Sequence, residues 1–401
     1  MKVLQLHAGY RTPAGEDTVV HAEAAALRNA GHDVRQVIED NPPSALPAVK
    51  ALTNSLYNRP AAARVRAACD KFEPDIVHLH NTWFALSTSV IDAVASCGRP
   101  LVMTLHNYRL GCIRSDLFRD NSVCTTCVGR TPLSGVVHGC YRNSRLLSAV
   151  AAVEVMSTRR RSTLSQIDQF VAPTEFMADR LVDIGVPADR MVVKPHFTSD
   201  PGPRPYRPSE SDEVLYIGRL ASAKGIHTLL RAWERHLSAL APEQRATRRL
   251  TVMGEGPLGA DLHEAAHRSV DFVGWMSHDE VRRRMLSARA FAFPSEWYEP
   301  FGLVLIEALA AGLPVIATTA SDAVRITGTP PELVAPAGDD RALATCLGNL
   351  DDDTVDRVGL AGRHRFETTF AEAAGAADLE ALYESVLAEI AGRTPPTGRR
   401  S

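Results

Sequence analysis

Short apolar, β-rich runs alternate with helical stretches in this chain; the series breaks off once and then starts again. The first series is KVLQLH, DIVHLH, LVMTLH, DQFVAP and MVVKPHF, and the second is VLYIGRL, RLTVMGEG, DFVGW, AFAFPS and PVIATT. Strands of this kind, separated by helices, are buried on both faces, which a parallel sheet with helices above and below provides. Between the series lies TSDPGPRPYRPSESD, residues 198–212, with four prolines and little to bury, which reads as a linker. The expectation is α/β: two doubly wound domains over 1–197 and 213–375, then a helix over 376–392 packing back towards the first domain. The tail 393–401 is expected to be disordered. A length of 401 residues agrees, being too long for one ordinary core.

Composition narrows the class. Apolar residues make up 45% and charged residues 23%, as in soluble globular proteins, and the net charge of −3 implies no general polyanion-binding surface. No apolar run reaches the roughly 18–20 residues that cross a bilayer. The opening MKVLQLHAGYRTPAGED turns polar quickly and reads as a strand and loop, not an export signal. Seven cysteines, four of them clustered, then point to a reducing compartment and to a metal, so a cytoplasmic location is expected.

In doubly wound sheets ligands bind beyond the carboxyl ends of the strands. One such place is SEWYEPFGLVLIEALAAGLPV, Ser295 to Val315, where a helix is expected from about Pro300 to Ala311. Glu299 stands at its beginning and Glu307 about 12 Å farther on. The unpaired N–H groups and positive dipole end of a helix start seat phosphate, and Gly302 lets a ligand approach the backbone. Glu299 could also be no more than a favourable helix-start charge. Glu307, however, is flanked by LVLI and ALAA, and an unpaired buried carboxylate costs several kcal/mol, so a polar partner is expected. Upstream, YIGRLASAKG places Arg219 and Lys224 after a strand, either as surface cations or as a pair neutralising a diphosphate. A molecule with hydroxyls at both ends and phosphates in the middle, a nucleotide sugar, fits this spacing.

With GRL…KG at Gly218–Gly225 joined to E-x7-E at Glu299–Glu307, the chain resembles the retaining glycosyltransferases of the GT-B fold, in particular glycosyltransferase family 4. The resemblance implies two Rossmann-like domains facing an interdomain cleft, an acceptor-binding first domain and a donor-binding second. It implies that Glu299 holds the donor sugar, with Phe301, Gly302 and Leu303 lending backbone N–H groups and Ser295 beside them. Glu307 would bind the ribose, while Arg219 and Lys224 would stabilise the departing diphosphate. Val273, Trp275 and Met276 would read the base, near Gly218 and Gly254. His106 in TLHNYR would sit by the donor sugar, with Asn107, His80, Glu16 and Asp17 on the acceptor side and Gly15 facing the diphosphate. Ala14, where relatives often have glycine, departs from that pattern. The implied reaction moves a hexose or N-acetylhexosamine from a nucleoside-diphosphate sugar, UDP favoured and GDP next. The receiving hydroxyl belongs to a polysaccharide, a lipid-linked or a small secondary-metabolite acceptor, and catalysis needs no metal. Two alternatives stand beside it. A nicotinamide oxidoreductase would need a Gly-x-Gly-x-x-Gly turn that neither LHAGYRTPAG nor IGRLASAKG supplies. A nucleotide-sugar-binding protein without catalysis would share the donor site.

Three features lie outside these motifs. Cys112, Cys124, Cys127 and Cys140, in an insert over 110–142, have a spacing compatible with one structural Zn²⁺, with His138 as an alternative ligand and free thiols or disulfides as other readings. YRNSRLLSAVAAVEVMSTRRRS sets arginines around an apolar centre. It reads as a buried helix with solvated basic ends in preference to a membrane-surface helix, since Glu154 and the near-neutral chain oppose strong membrane attraction. Asp351–Asp353 read as solvated surface.

Overall fold

The structure is a computed structural model, and it describes residues 1–9, 15–40 and 57–393. Two compact units emerge. The first comprises Met1–Leu117, Thr125–His196 and the chain from Ala373; the second comprises Phe118–Cys124 and Phe197–Glu372.

In chain order the early strands are β1 (Lys2–Gly9), β2 (Asp33–Asp40), β3 (Ile76–Asn81), β4 (Leu101–Thr104), the hairpin strands β5 (Phe118–Arg119) and β6 (Ser122–Val123), β7 (Gln169–Ala172) and β8 (Met191–Val193). All but the hairpin form one parallel sheet, ordered β2-β1-β3-β4-β7-β8. Strand β3 is buried along its whole length, including His78, His80 and Asn81. Strand β2, DVRQVIED, is an edge strand that buries only Val34, which is why no apolar run announces it. The helix Glu372–Arg393 belongs to this unit from Ala373 onward. Its Tyr383 hydroxyl lies 2.8 Å from His78 Nδ1 and its Glu380 carboxylate 2.6 Å from His32 Nε2.

The helix Arg145–Thr158 is capped by Ser144, whose hydroxyl accepts from Leu147 N. It departs from the sequence expectation. Its inward face carries Ser148, Glu154 and Thr158 among small apolar residues, while Leu146, Val153 and Met156 are exposed. Glu154, only 4% exposed, puts no charge on the surface.

The second unit holds β9 (Glu213–Ile217), β10 (Arg249–Met253), β11 (Val270–Gly274), β12 (Ala290–Phe293), β13 (Val315–Thr318) and β14 (Val334–Ala335) in a parallel sheet ordered β11-β10-β9-β12-β13-β14. Helices cover both faces. Ile226, Leu229, Trp233, Leu343 and Leu347 build the core on one side, and Leu305, Ile306, Leu309 and Phe366 the core on the other.

Two boundaries differ from expectation. The segment 198–212 is not a slack linker but is bonded onto the second unit. Arg204 donates to the carbonyls of Met285, Ala311 and Ala288 at 2.9, 3.1 and 2.6 Å, and Asp200 pairs with Arg363 at 2.6 Å. The helix expected from Pro300 begins at Leu303, because Gly302 adopts a left-handed conformation (φ 85°) that ends the preceding loop. Glu299 therefore stands in that loop, outside the helix that carries Glu307. The expected tail begins where the helix Glu372–Arg393 ends, and 394–401 lie outside the described residues.

Candidate active site

In each sheet the strand order reverses at one place: between β9 and β12 in the second unit and between β1 and β3 in the first. Such a switch point opens a crevice at the carboxyl ends of the strands, where ligands bind. The residues singled out from sequence gather at these two places.

In the second unit the loops leaving β9, β10 and β12 are knitted together. Leu220 N donates to Glu255 O at 3.0 Å, Glu296 N to Ala223 O at 2.9 Å, and Gly254 N to Gly274 O at 2.7 Å. Gly225 makes the β9–β12 approach feasible. Its φ is +69°, and a Cβ placed there would lie 1.8 Å from Pro294 O. This bracing sets Lys224 against Glu299. Lys224 Nζ lies 2.6 Å from Glu299 Oε2, which also accepts from Trp297 Nε1 at 2.7 Å and Ser295 Oγ at 3.4 Å. The Lys224 ammonium rests 4.9 Å from the Trp297 ring centroid, a cation–π contact. Glu299 is 8% exposed, and so held in one orientation by three donors. Arg219, five residues before Lys224, is exposed. A carboxylate and two cations at one set of strand tips can hold a sugar hydroxyl beside a neutralised diphosphate.

Glu307 has the polar partner that burial demands: His278 Nδ1 lies 3.7 Å from its carboxylate. Burial raises its pKa, and the nearby His278 and Arg282 oppose that rise. Val273 lies in β11, whose last residue, Gly274, bonds Gly254, and Trp275 and Met276 follow the strand; Trp275 is 73% exposed. Phe301 is buried against Phe370.

In the first unit, Asn81 Nδ2 and Asn107 Nδ2 both donate to the Glu16 carboxylate, at 3.2 and 2.7 Å. Asp17 lies 3.0 Å from His7 Nε2. His106 Nε2 lies 3.1 Å from His80 Nδ1, and the His106 ring also stacks on His196 with centroids 5.3 Å apart. Burial drives the pKa of His106 down to about 3 and lowers those of His80 and His196 well below the ordinary value. His106 is therefore a neutral hydrogen-bonding ring at physiological pH. Glu16, Asp17, His80, His106 and Asn107 thus form one cluster with Asn81 and His7. Gly15 begins the Gly15–Asn29 helix, and Ala14 lies outside the described residues.

Sequence reasoning missed the layer beneath. Glu23, 2% exposed, takes Lys194 Nζ at 3.3 Å, with His80 Nε2 and His78 Nδ1 at 3.7 and 3.8 Å. Glu23, His78 and His80 are the one trio of metal-binding side chains among the described residues whose donor atoms converge within 4.8 Å. Lys194 already sets a cation against that carboxylate. A signal was present: KVLQLH, DIVHLH, LVMTLH and MVVKPHF all bring a histidine to the strand's carboxyl end. Trp297 was likewise overlooked, although WYEP precedes the helix.

A cavity of about 40 Å³ in the first unit is lined by His80, His106, Asn107, Arg109, Glu154 and Thr158, among others. Arg109 stacks on Trp83 at 4.0 Å and donates to Ser115 Oγ at 3.2 Å. The wall comes from residues 80–82 and 103–110 and from the Arg145–Thr158 helix, so of the insert only its start contributes. Burial pushes the Glu154 carboxyl up to about 7 against the opposing charge of Arg109. Since the folded state holds that proton more tightly than the unfolded chain, stability falls as pH rises from about 4.5 to about 7. Glu154→Gln should therefore leave urea stability unchanged near pH 4 and raise it by about 3 kcal/mol near pH 8, as denaturant midpoints will show.

Cys112, Cys124, Cys127 and Cys140 are each half-buried, but no three of their sulfurs converge to ligand distance among the described residues. Asp351 caps the helix Asp352–Arg365, accepting from Thr354 N, and Asp352 pairs with Arg289.

Two doubly wound parallel sheets, each with a polar cluster at its switch point, define a GT-B protein. Residues 14–196 match the family model of the glycosyl transferase 4-like domain, and residues 211–353 match that of the glycosyl transferases group 1. By these two matches the chain is a GT-B glycosyltransferase. Glycogen synthase of Mycobacterium tuberculosis is 28% identical over 317 residues, 75% of this chain and 66% of that protein, so the match spans about two thirds of the relative. Among solved structures, sucrose-phosphate synthase of Thermosynechococcus elongatus superposes with a TM-score of 0.68 at 20% identity, covering 97% of this chain and all of that one. HepE of Anabaena, solved in complex with UDP, gives 0.67 at 18% identity, with 96% of this chain and 100% of that chain covered. At these identities the structural likenesses establish the fold.

Proposed function

We propose that the chain transfers a hexose or N-acetylhexosamine from a nucleoside-diphosphate sugar to a hydroxyl acceptor, with retention of anomeric configuration. The observation that carries this is the Lys224–Glu299 pair, 2.6 Å apart at the β9/β12 switch point with Arg219 in the same loop. Breaking the anomeric bond puts negative charge on the departing diphosphate and positive character on the sugar carbon. Lys224 and Arg219 stabilise the first without rearrangement, and Glu299 orients the sugar through its hydroxyls. Glu307 takes the ribose hydroxyls, and the backbone from Val273 to Met276 takes the base, with UDP favoured and GDP next. The UDP complex of HepE supports that order. The acceptor hydroxyl enters from the leaving-group face in an ion-pair displacement and gives up its proton to the departing diphosphate. Charge compensation by Lys224 and Arg219 lets the reaction proceed without a metal on the phosphates.

The test is a panel of nucleoside-diphosphate sugars. The cognate donor should raise the melting temperature and release nucleoside diphosphate, with a product of retained configuration. Binding without turnover on any hydroxyl acceptor would favour a sugar-nucleotide-binding protein, and a trapped glycosyl–enzyme adduct would overturn the ion-pair route.

A further inference from the structure

The helix Arg145–Thr158 carries apolar side chains on both faces: Ala151, Ala152 and Val155 lie inside with Ser148, Glu154 and Thr158, yet larger apolar residues face out. A helix on a soluble protein's surface turns its apolar stripe inward and its polar residues to water. Here Ser148, Glu154 and Thr158 are buried, whereas Leu146, Val153 and Met156 are 74%, 44% and 37% exposed. With half-exposed Val150 between them, these positions advance by three or four residues and share one face. The neighbouring helix Leu133–Val137 adds Leu133 and Val137, 60% and 62% exposed and one turn apart. Arg145 Nε donating to Val137 O at 3.1 Å, and Tyr141 N donating to Ser148 Oγ at 2.9 Å, tie the two helices together.

Charge identifies the occupant of this surface. Residues 129–161 contain six arginines and one acid in a chain whose net charge is −3, and the acid is the buried Glu154. Arg130, Arg142, Arg145 and Arg160 are exposed. In an interface between two copies, self-complementary contact would set like charges together at a cost. An anionic lipid surface instead satisfies both halves of the pattern, taking apolar side chains at the headgroup–acyl boundary and arginines at its phosphates. Among the described residues no helix is long and apolar enough to cross a membrane.

We propose that the face formed by the helices Leu133–Val137 and Arg145–Thr158 docks on an anionic phospholipid surface. Leu133, Val137, Leu146, Val153 and Met156 enter the boundary, and the exposed arginines pair with lipid phosphates. The opposite side of the longer helix supplies Glu154, Val155 and Thr158 to the cavity that His106 lines. A membrane-borne acceptor would thus arrive beside that cavity. This consequence rests on the transfer reading; the docking itself does not.

The test is sedimentation of the full-length protein with vesicles of phosphatidylcholine alone or mixed equally with phosphatidylglycerol. The wild type should partition at least about tenfold more strongly onto the anionic vesicles at about 0.1 M salt and lose most of that preference at about 1 M. Leu146→Gln/Val153→Gln/Met156→Gln should bind at least about tenfold more weakly. Arg142→Gln and Arg160→Gln should each cost about fivefold. All should keep the wild-type melting temperature and nucleotide-induced shift, which separates loss of docking from loss of the donor site. Equal partitioning onto both vesicle types, no partitioning, or variants that sediment like the wild type would overturn the proposal. So would a dimer in analytical ultracentrifugation that the apolar triple variant dissolves, which would assign the face to a second copy.

Discussion

Lys224→Ala is expected to lower the turnover number for glycosyl transfer by about 10²–10³-fold, the effect of removing one fixed donor from a developing negative charge. The fold should survive, because Lys224 is a partly exposed residue ending a short 3₁₀ turn. Its Nζ meets the Glu299 carboxylate at 2.6 Å, and that carboxylate keeps Trp297 and Ser295 as donors after the substitution. Lys224→Arg should rescue little, since a guanidinium laid flat on the Trp297 ring does not present the compact ammonium's point charge to Glu299 and the diphosphate. Glu299→Gln should cost a similar factor, and the double variant less than the product of the two, because both side chains serve one bond. Initial rates with saturating donor check this. Activity within a few-fold of wild type would remove Lys224 from the chemistry.

Gly225→Ala should produce the largest loss of stability. At φ +69° a side chain is strained, and the new Cβ would lie 1.8 Å from the carbonyl oxygen of Pro294, a backbone atom that cannot rotate away. The loops after β9 and β12 would have to part, and with them the Lys224–Glu299 pair. The expected cost exceeds about 3 kcal/mol, read from the urea midpoint, together with loss of nucleotide-induced stabilisation. A variant as stable as the wild type would mean that the approach of these two loops is not what positions the pair.

The central strands were legible because a strand buried on both faces must be a continuous apolar run. IVHLHN of β3 is buried with two histidines and an asparagine in it, whereas AFAF of β12 announces itself this way. Edge strand β2 and the two-residue β14 do not, the first because it meets water and the second because two residues carry no pattern. Glu299, Lys224 and Glu307 were legible as a motif, and the partner required by a buried Glu307 is His278. Which lysine meets which acid was not, because that contact spans 75 positions in sequence and depends on two glycine-braced loops. The helix start was misjudged by three residues because Pro300 suits a first turn, whereas the left-handed Gly302 decides where the turn begins.

The first unit hid more. Glu23, Lys194 and Tyr383 belong to elements far apart in sequence, and their convergence around His78 and His80 follows only from the sheet order. Glu154 shows the same limit with the opposite sign. The acid in this apolar helix counted against membrane attraction, yet Glu154 is turned inward, where Arg109 and a hydrogen bond from Thr158 meet it. The helix keeps Ala151, Ala152 and Val155 inside but leaves Leu146, Val153 and Met156 facing out.

We propose that a nucleoside diphosphate binds at the β9/β12 switch point through Lys224, Arg219 and Glu307. Calorimetric titration of nucleoside diphosphates into the wild type and Lys224→Ala tests it most directly. The wild type should show saturable one-site binding of one diphosphate, weakened at least about tenfold in the variant, as for a lost charge-assisted contact. No binding of any nucleoside diphosphate by the wild type, or equal affinity in the two proteins, would contradict it.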